Sequence, residues 1–177
     1  MRLFTRIIQQ GQGLAPVLLR RAARVCLSWD IRQKSRFQVN DTAGQPVAVS
    51  VPRGQVLRGG DVLVGDSQEF LLVESALQPL LKVTRCPTHG QPLDLIRAAY
   101  HLGNRHVTLA LSPDALWLEH DPVLAEMLVR MHLVVTPVEA AFEPEGGAYA
   151  EHAHGHGHAH DHSHDHPHDH SHHGHHH

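Results

Sequence analysis

The 177-residue sequence has few of the residues on which several protein classes depend. It contains two cysteines, Cys26 and Cys86, and no Cys-x-x-Cys motif, so neither a disulfide framework nor a cysteine-rich zinc site is predicted. The spacing of Cys86 and His89 offers only half of a zinc site. The apolar run at residues 14–19 is interrupted by Pro16 and is too short for a signal peptide or a membrane span. These absences predict a cytoplasmic protein with reduced thiols and no membrane partner.

Aromatic residues and an excess of one charge are also lacking. Aromatics make up 5% of the chain, and the formal net charge is −3 at pH 7. All 15 Lys and Arg residues and 14 of the 18 Asp and Glu residues lie in the first 150 positions, so neither sign dominates there. A nucleic-acid-binding domain normally presents a basic patch or exposed sheet aromatics, and among the predicted strands Trp117 stands almost alone. The composition therefore predicts no nucleic acid partner, and a peptide-binding or RNA-binding module ranks last among the alternatives.

Known catalytic motifs are absent as well. The sequence has no Gly-x-Ser-x-Gly motif, no His-Glu-x-x-His and no phosphate-binding glycine loop. Catalytic metals need fixed geometry and an open coordination position, which a flexible chain of ligands does not supply. We therefore predict that the protein is not an enzyme.

Histidine, by contrast, is abundant, and 15 of the 20 histidines lie between positions 151 and 177. This tail has no aromatic or β-branched residue, so it cannot bury enough apolar surface to offset the entropy of ordering, and we predict disorder. Neutral imidazole is the commonest protein ligand for nickel, copper and zinc, so the tail is predicted to bind metal. The alternative, a purification tag, fits poorly with the alternation of histidine with Asp, Gly, Ala and Ser. The first candidate ligands are His152, His154, His156, His158 and His160.

The N-terminal half has the pattern of a β-rich domain. Between positions 36 and 75, apolar and polar residues alternate, and turn residues separate the alternating runs. Two such runs flank the turn sequence Asp41-Thr-Ala-Gly44, as in a β-hairpin. The segment before Trp29 is predicted to add one edge strand. An all-β subdomain is therefore predicted.

From about position 78 to 144 the pattern changes to mixed strands and helices. Pro92 suits the first turn of a helix, and Gly103-Asn104 tolerates the left-handed conformation that ends one. Asp121-Pro122 gives a second helix start, an N-cap carboxylate followed by proline. Strands are predicted at 80–85, 107–111, 115–119 and 133–138, and helices at 92–102 and from 122. The order β-α-β-β-α-β is that of a ferredoxin-like domain, so the predicted fold class is α+β.

Three of the remaining histidines lie at predicted element boundaries. His106 opens a predicted strand, His101 lies near the end of the helix before it, and His120 comes directly before the second helix start. An isolated histidine in such a place is ordinarily structural or a helix-dipole partner, but the histidine-rich tail makes all three candidate metal ligands. His132, at the end of the last helix, is explained by the helix dipole alone.

Four stretches of the sequence stand out together: Tyr100-His-Leu-Gly-Asn-Arg-His106, Pro52-Arg-Gly54 with Leu57-Arg-Gly-Gly-Asp-Val-Leu63, Phe142-Glu-Pro-Glu-Gly-Gly-Ala-Tyr149, and the terminal histidine run. In this combination the chain resembles the urease accessory protein E family of nickel metallochaperones. The resemblance implies a β-rich peptide-binding-like domain, a ferredoxin-like metal-binding domain and a histidine-rich metal-binding tail. We place these at residues 1–76, 77–148 and 149–177.

The resemblance also implies a site and its partners. It implies a homodimer in which His106 of both copies meets at the interface, with His101 as a second histidine of the same motif. Some family members have His-Asp-His where this chain has His120-Asp121-Pro122, so His120 matches the first histidine and proline replaces the second. The implied cargo is Ni(II), collected and delivered for assembly of the urease active site, with Zn(II) and Cu(II) as competitors. The implied recipients are the urease accessory GTPase and the apo-urease accessory complex.

The residues alone leave one alternative open. A general nickel, zinc or copper buffer or storage protein would use the tail for all binding, with the folded part as a scaffold. Removal of the tail separates the two hypotheses, since a chaperone site in the folded part would survive it.

Overall fold

The computed structural model describes residues 1–146 of the chain. The N-terminal part forms a six-stranded mixed sheet with strand order β2-β6-β5-β1-β4-β3. Two short helices, α1 (Pro16–Arg21) and α2 (Trp29–Arg32), interrupt a region that is otherwise β-rich, as predicted. The strands are β1 (Arg2–Ile8), β2 (Ala23–Leu27), β3 (Arg36–Asn40), β4 (Pro46–Ser50), β5 (Val62–Gly65) and β6 (Phe70–Ser75).

Strand β1 lies in the middle of this sheet, which the prediction of a single edge strand before Trp29 missed. The edge strand exists as β2, but β1 pairs in parallel with β4 and antiparallel with β5. The register of β1 against β5 shifts between Phe4 and Arg6. Such a bulge breaks the period-two alternation by which a strand is recognised in a sequence. Phe4 is nevertheless fully buried in the core of this sheet.

The predicted hairpin is confirmed, since β3 and β4 pair antiparallel over five residues each. Its turn is organised by Asp41, whose carboxylate accepts hydrogen bonds from the backbone N–H of Gln45 at 2.8 Å and of Ala43 at 2.9 Å. Gly44 takes the left-handed conformation, with φ of +78°. The Gln45 N–H, followed by the guanidinium of Arg2, lowers the pKa of Asp41. The side chain that shapes the turn is thus kept ionised.

The C-terminal part forms a second, four-stranded sheet in the order β10-β7-β9-β8, in which all pairs are antiparallel. Two helices pack on it, and the β-α-β-β-α-β order of the prediction is confirmed. The elements are β7 (Leu77–Arg85), α3 (Pro92–Gly103), β8 (Ala110–Ser112), β9 (Ala115–Glu119), α4 (Pro122–Arg130) and β10 (Leu133–Ala141).

The strand predicted at 107–111 is displaced, because β8 starts only at Ala110. Val107 and Leu109 lie before it in a loop and pack, half-buried, against the helix-and-sheet core. Their apolar character therefore serves packing and not strand pairing. His106 precedes this loop and does not open a strand.

Helix α3 carries two apolar rows with the same i, i+3, i+7 spacing, and only one of them is buried. Leu95, Ala98 and Leu102 point into the core. The stripe of Leu93, Ile96 and Tyr100 is instead 46%, 63% and 66% exposed. At 12 residues α3 is the longest helix in residues 1–146, and no helix there is long and apolar enough to cross a membrane.

The end of β10 connects the second sheet to the first through a buried cluster. Arg32 is fully buried, and its guanidinium donates to the backbone carbonyl of Phe142 and, at 2.7 Å, to the carboxylate of Glu143. The same carboxylate accepts from the N–H of Gly59 at 2.9 Å and from the hydroxyl of Ser75. We call this set the Glu143 clamp. It anchors the chain after β10 to the N-terminal sheet, and residues Met1–Glu145 form one compact unit.

Candidate metal site

His106 lies in a tight turn that ends helix α3. Its backbone N–H donates to the carbonyl of Gly103 at 2.9 Å, and the N–H groups of Arg105 and Val107 donate to the carbonyl of Leu102 at 3.0 and 3.1 Å. These bonds satisfy carbonyls that the last helical turn would otherwise leave without partners. The side chain of His106 is exposed to solvent.

The backbone of His106 is left-handed, with φ of +57°. The prediction that Gly103-Asn104 would supply this conformation is wrong, because Asn104 has φ of −64° and the turn closes two residues later. A residue with a side chain pays about 1–2 kcal/mol for this conformation. Such strain at an exposed polar residue is typical of functional sites, so the backbone supports His106 as a candidate ligand independently of its motif.

His101 lies on the exposed surface of the last turn of α3. Its ring meets that of Tyr100 edge to face, with centroids 5.5 Å apart and planes at 72°. Its backbone carbonyl accepts a hydrogen bond from the guanidinium of Arg105 at 2.9 Å. Arg105 therefore stabilises the helix end, and both histidines of the motif stay accessible.

His120 is exposed at the end of β9, directly before the cap of α4. The carboxylate of Asp121 accepts the backbone N–H groups of Val123 at 2.8 Å and of Leu124 at 2.9 Å, which confirms the predicted N-cap. Since Ala110 of β8 pairs with Trp117 of β9, the start of β8 and the end of β9 lie at the same end of the sheet.

That end of the C-terminal sheet carries His101, His106 and His120, and we call it the histidine end. The compact unit also finishes there, because the N–H of Glu145 donates to the carbonyl of Leu109 at 2.8 Å. The structure gives none of the three histidines a set of neighbouring ligands. In residues 1–146 no group of three or more His, Cys, Asp or Glu side chains is placed to hold a metal ion. A single copy of this region therefore supplies an incomplete donor set.

The opposite end of the sheet carries Cys86, His89 and His132, and we call it the cysteine end. Leu133 pairs with Arg85, which places the residues after β7 beside those before β10. A cavity of about 750 Å³ opens there, and all three side chains line it. The sequence indicated the Cys86 and His89 pair, but His132 was assigned to the helix dipole, and only the sheet register brings it to this cavity.

Cys86 and His89 face one another across a short turn. The sulfur of Cys86 lies 3.8 Å from Nδ1 of His89 and 3.2 Å from Oγ1 of Thr88. Hydrogen bonding from the Thr88 side chain, then from the backbone N–H groups of Thr88 and His89, lowers the pKa of the Cys86 thiol to about 6. The group is therefore mainly a thiolate at neutral pH.

The candidate ligands of the tail are His152, His154, His156, His158 and His160, and they lie outside the described residues. Their assignment stays a prediction from composition. For His101, His106 and His120, in contrast, the structure gives the exposure of each side chain and its position at one end of the C-terminal sheet.

Comparisons with known protein families divide the chain at the boundary between its two sheets. Residues 4–76 match the family model described as the UreE urease accessory protein N-terminal domain. Residues 78–177 match the model for the C-terminal domain of the same protein. Together the two models account for nearly the whole chain.

Several curated proteins are also similar over most of the length. A urease accessory protein UreE from a Polaromonas species is 57% identical over 151 residues, which are 85% of this chain and 69% of that protein. One from Albidiferax ferrireducens is 57% identical over 152 residues, 85% of this chain and 87% of the relative. One from Paracidovorax citrulli is 58% identical over 149 residues, 84% and 71% of the two chains.

Proposed function

We propose, on the premise that this chain belongs to the UreE family of urease accessory proteins, that it is a nickel metallochaperone that collects Ni(II) and delivers it for assembly of the urease active site. As a urease accessory protein it is not an enzyme, and its role lies in urease maturation. The histidine end of the C-terminal sheet supports the finer assignment, nickel binding and delivery.

The observation that carries the proposal is the strained, exposed His106 in a donor set that residues 1–146 of one chain leave incomplete. A residue near a two-fold axis occurs twice, so a symmetric dimer would bring two His106 imidazoles together. Such a pair would supply two imidazole ligands to one ion without any further residue from either chain. Ions held in this way could also be released when the interface or its surroundings change.

The exposed stripe on α3 supports a dimer at this end. Leu93, Ile96 and Tyr100 expose large apolar surfaces in one row, and Tyr100 directly precedes His101. Stripes of this kind on a soluble domain usually mark an interface. We propose that a second copy covers this stripe and that the interface includes His106 of both copies.

The tail supplies the collecting step. Its 15 histidines offer many exchangeable imidazole ligands, whereas hydrogen bonds of the turn after α3 fix the backbone of His106. We propose that the tail captures Ni(II), the His106 site presents it, and His101 and His120 serve as auxiliary ligands. Imidazole chemistry does not select nickel over Zn(II) or Cu(II), so the choice of nickel depends on the family. The proposed setting is the cytoplasm, and the proposed recipients are the urease accessory GTPase and the apo-urease accessory complex.

Nickel titration calorimetry tests this proposal with three proteins: the full chain, a chain that ends at Tyr149, and that shortened chain with His106→Asn. Asparagine tolerates the left-handed backbone, so the substitution removes the imidazole and keeps the turn. We expect about one tight nickel site per dimer in the shortened chain and none after His106→Asn. His132→Asn is the matched control, because His132 is also exposed and left-handed, with φ of +61°. The dimer mass is measured alongside.

The alternative function, a general metal buffer or storage protein, is favoured by one observation. Most histidines lie in the tail, and the described residues hold no complete ligand group. The same titration decides between the two functions. Loss of all tight binding on removal of the tail would support the buffer and overturn the chaperone site in the folded part.

A further inference from the structure

The cysteine end contains a turn that holds two metal-ligating side chains close together. Strand β7 ends at Arg85, and the N–H of Gly90 donates to the carbonyl of Cys86 at 2.8 Å to close the turn. A Cβ at position 90 would lie 2.5 Å from that carbonyl oxygen, so the turn requires glycine. The closed turn places Sγ of Cys86 3.8 Å from Nδ1 of His89.

This separation matches the bite of a particular coordination geometry. With Zn–S bonds of about 2.3 Å and Zn–N bonds of about 2.0–2.1 Å, a tetrahedral ion separates its sulfur and nitrogen ligands by about 3.5 Å, and a trigonal ion by about 3.8 Å. A right angle, as in square-planar nickel, would require about 3.1 Å. The pair therefore fits a tetrahedral or trigonal ion without rearrangement of the turn.

The hydroxyl of Thr88 is within hydrogen-bond distance of both ligand atoms. Its oxygen is 3.2 Å from the sulfur and 2.8 Å from Nδ1 of His89. When Nδ1 carries a proton, it donates to the hydroxyl and the hydroxyl donates to the sulfur; when Nδ1 is unprotonated, the one hydroxyl proton cannot serve both acceptors. In the second state a cation bound by the sulfur and by Nδ1 satisfies both acceptors.

We propose that Cys86 and His89 form a two-ligand site for exchangeable zinc in each chain, with the remaining coordination positions open to the cavity at the cysteine end. Structural zinc sites use four protein ligands, so a two-ligand site exchanges its ion more readily. Thiolate is a softer ligand than imidazole and favours zinc over nickel, which separates this site from the histidine end.

The other polar groups around the cavity leave the open positions to water or an incoming ligand. Asp94 also lines it, but its carboxylate accepts the N–H of Gln91 at 2.7 Å and lies 3.9 Å from the guanidinium of Arg97. It therefore serves the cap of α3. His132 lines the cavity without belonging to a three-ligand group.

Cobalt(II) titration of the full chain tests the site. A thiolate bound to cobalt gives a charge-transfer band in the near ultraviolet, which the imidazole ligands of the tail do not give, whereas the visible bands report only the coordination geometry. We expect one cobalt–thiolate per chain, displaced by added zinc. The band should persist in Cys26→Ser, the matched control at the only other cysteine, and disappear in Cys86→Ser. His89→Ala should raise the cobalt concentration needed for half of the thiolate band by at least about tenfold, since even outer-sphere partners of a ligand contribute that much to metal affinity.

A second measurement uses the wild-type protein, so that its result does not depend on whether a variant folds. Zinc should protect Cys86, but not Cys26, from alkylation, as read by peptide mass spectrometry. A band that survives Cys86→Ser, a folded chain that shows no cobalt–thiolate band, or equal protection of both cysteines would overturn the proposal. His106→Asn should leave the cobalt band unchanged, so this site and the proposed nickel site can fail separately.

Discussion

The two ends of the C-terminal sheet carry similar ligand types in opposite arrangements. At the histidine end His106 is exposed and strained, and it belongs to no group of three or more ligand side chains in residues 1–146. At the cysteine end Cys86 and His89 are 3.8 Å apart before any ion binds. The proposed nickel site needs a second copy to complete the first arrangement, whereas the second arrangement is preformed in one chain.

This difference shows that ligand identity alone does not define a metal site. The turn after α3 places a histidine where symmetry would double it, beside an apolar stripe. The turn after β7 places a sulfur and a nitrogen at the spacing of a tetrahedral or trigonal ion. A substitution at one end of the sheet should leave the ligand arrangement at the other end unchanged, so each end serves as the control for the other.

The largest effect is expected from Ile96→Glu, which puts a charge in the middle of the exposed stripe of α3. Burying an unpaired carboxylate at an interface is costly, so we expect a monomer and a loss of nickel affinity of about 100-fold, or about 2.7 kcal/mol. Analytical ultracentrifugation and nickel titration of the chain that ends at Tyr149 measure this. Val123→Glu is the control, because Val123 is 72% exposed on α4 and lies outside the stripe. A dimeric Ile96→Glu protein with unchanged nickel affinity would show that the stripe does not belong to the interface that forms the nickel site.

The next largest effect is a loss of stability at the Glu143 clamp, which anchors the chain after β10. Glu143→Gln leaves the buried guanidinium of Arg32 without its carboxylate. Since Glu143 is itself partly exposed, we expect a loss of about 1–3 kcal/mol in the free energy of unfolding at pH 7. Urea denaturation measures it, with Glu126→Gln as a control that should change stability by less than about 0.5 kcal/mol, because its i,i+4 pair with Arg130 is exposed.

The same clamp predicts a pH dependence. Burial raises the pKa of Glu143, but hydrogen bonds from Ser75 and Gly59 and the charge of Arg32 outweigh it, so the net pKa is lowered. A lowered folded pKa gives stability that is present above the unfolded value and lost as pH falls through the folded one. The difference between the wild type and Glu143→Gln should therefore shrink below about pH 4.5, the ordinary value. An undiminished difference at lower pH would mean that the carboxylate charge does not matter.

A smaller effect is expected at the cysteine end from Thr88→Val. The side chain of Thr88 is the largest cause of the low pKa of Cys86, which is about 6 against an ordinary 9.0. The variant should shift the midpoint of the alkylation rate of Cys86 to higher pH, because less of the thiolate is stabilised. Peptide mass spectrometry across pH 5–9 follows it, and Cys26 in the same sample is the control. An unshifted midpoint would assign the low pKa to the backbone N–H groups.

The smallest effect is expected from His106→Gly. Glycine adopts the left-handed conformation without strain but loses more entropy on folding, so we expect a net gain of about 0.5–1 kcal/mol in stability. Thermal unfolding measures this gain, and His132→Gly should behave alike because its φ is also positive. Stability gained while the nickel site is lost would show that the strain is kept for function. A destabilised variant would mean that the His106 side chain contributes to the fold.

Much of the fold was predictable because local chemistry and tertiary structure agree. Asp121 caps α4 as its sequence predicts, and the turn at Asp41 joins β3 and β4. The predictions fail where the two disagree. The bulge in β1 hides a central strand, and Val107 is apolar because it packs against a helix rather than because it lies in a strand.

The candidate site was predictable only in part. His106 was identified by its motif, but the left-handed φ falls on His106 and not on Gly103-Asn104, since hydrogen bonds to Leu102 and Gly103 extend the turn. Nothing local indicates that His132 faces the same cavity as Cys86. That proximity depends on the pairing of Arg85 with Leu133, which are 48 residues apart in the chain.

By itself, the sequence determined the α+β fold class, the order of the elements in the C-terminal domain, the histidine-rich tail and the family motif, because composition, periodicity and capping act over short distances. Only the tertiary structure decided which face of α3 is buried, which residue takes the strained conformation and which ligands share an end of the sheet. These outcomes depend on strand register and on packing between distant segments. The different placement of ligand side chains at the two ends of the sheet is therefore a property of the fold.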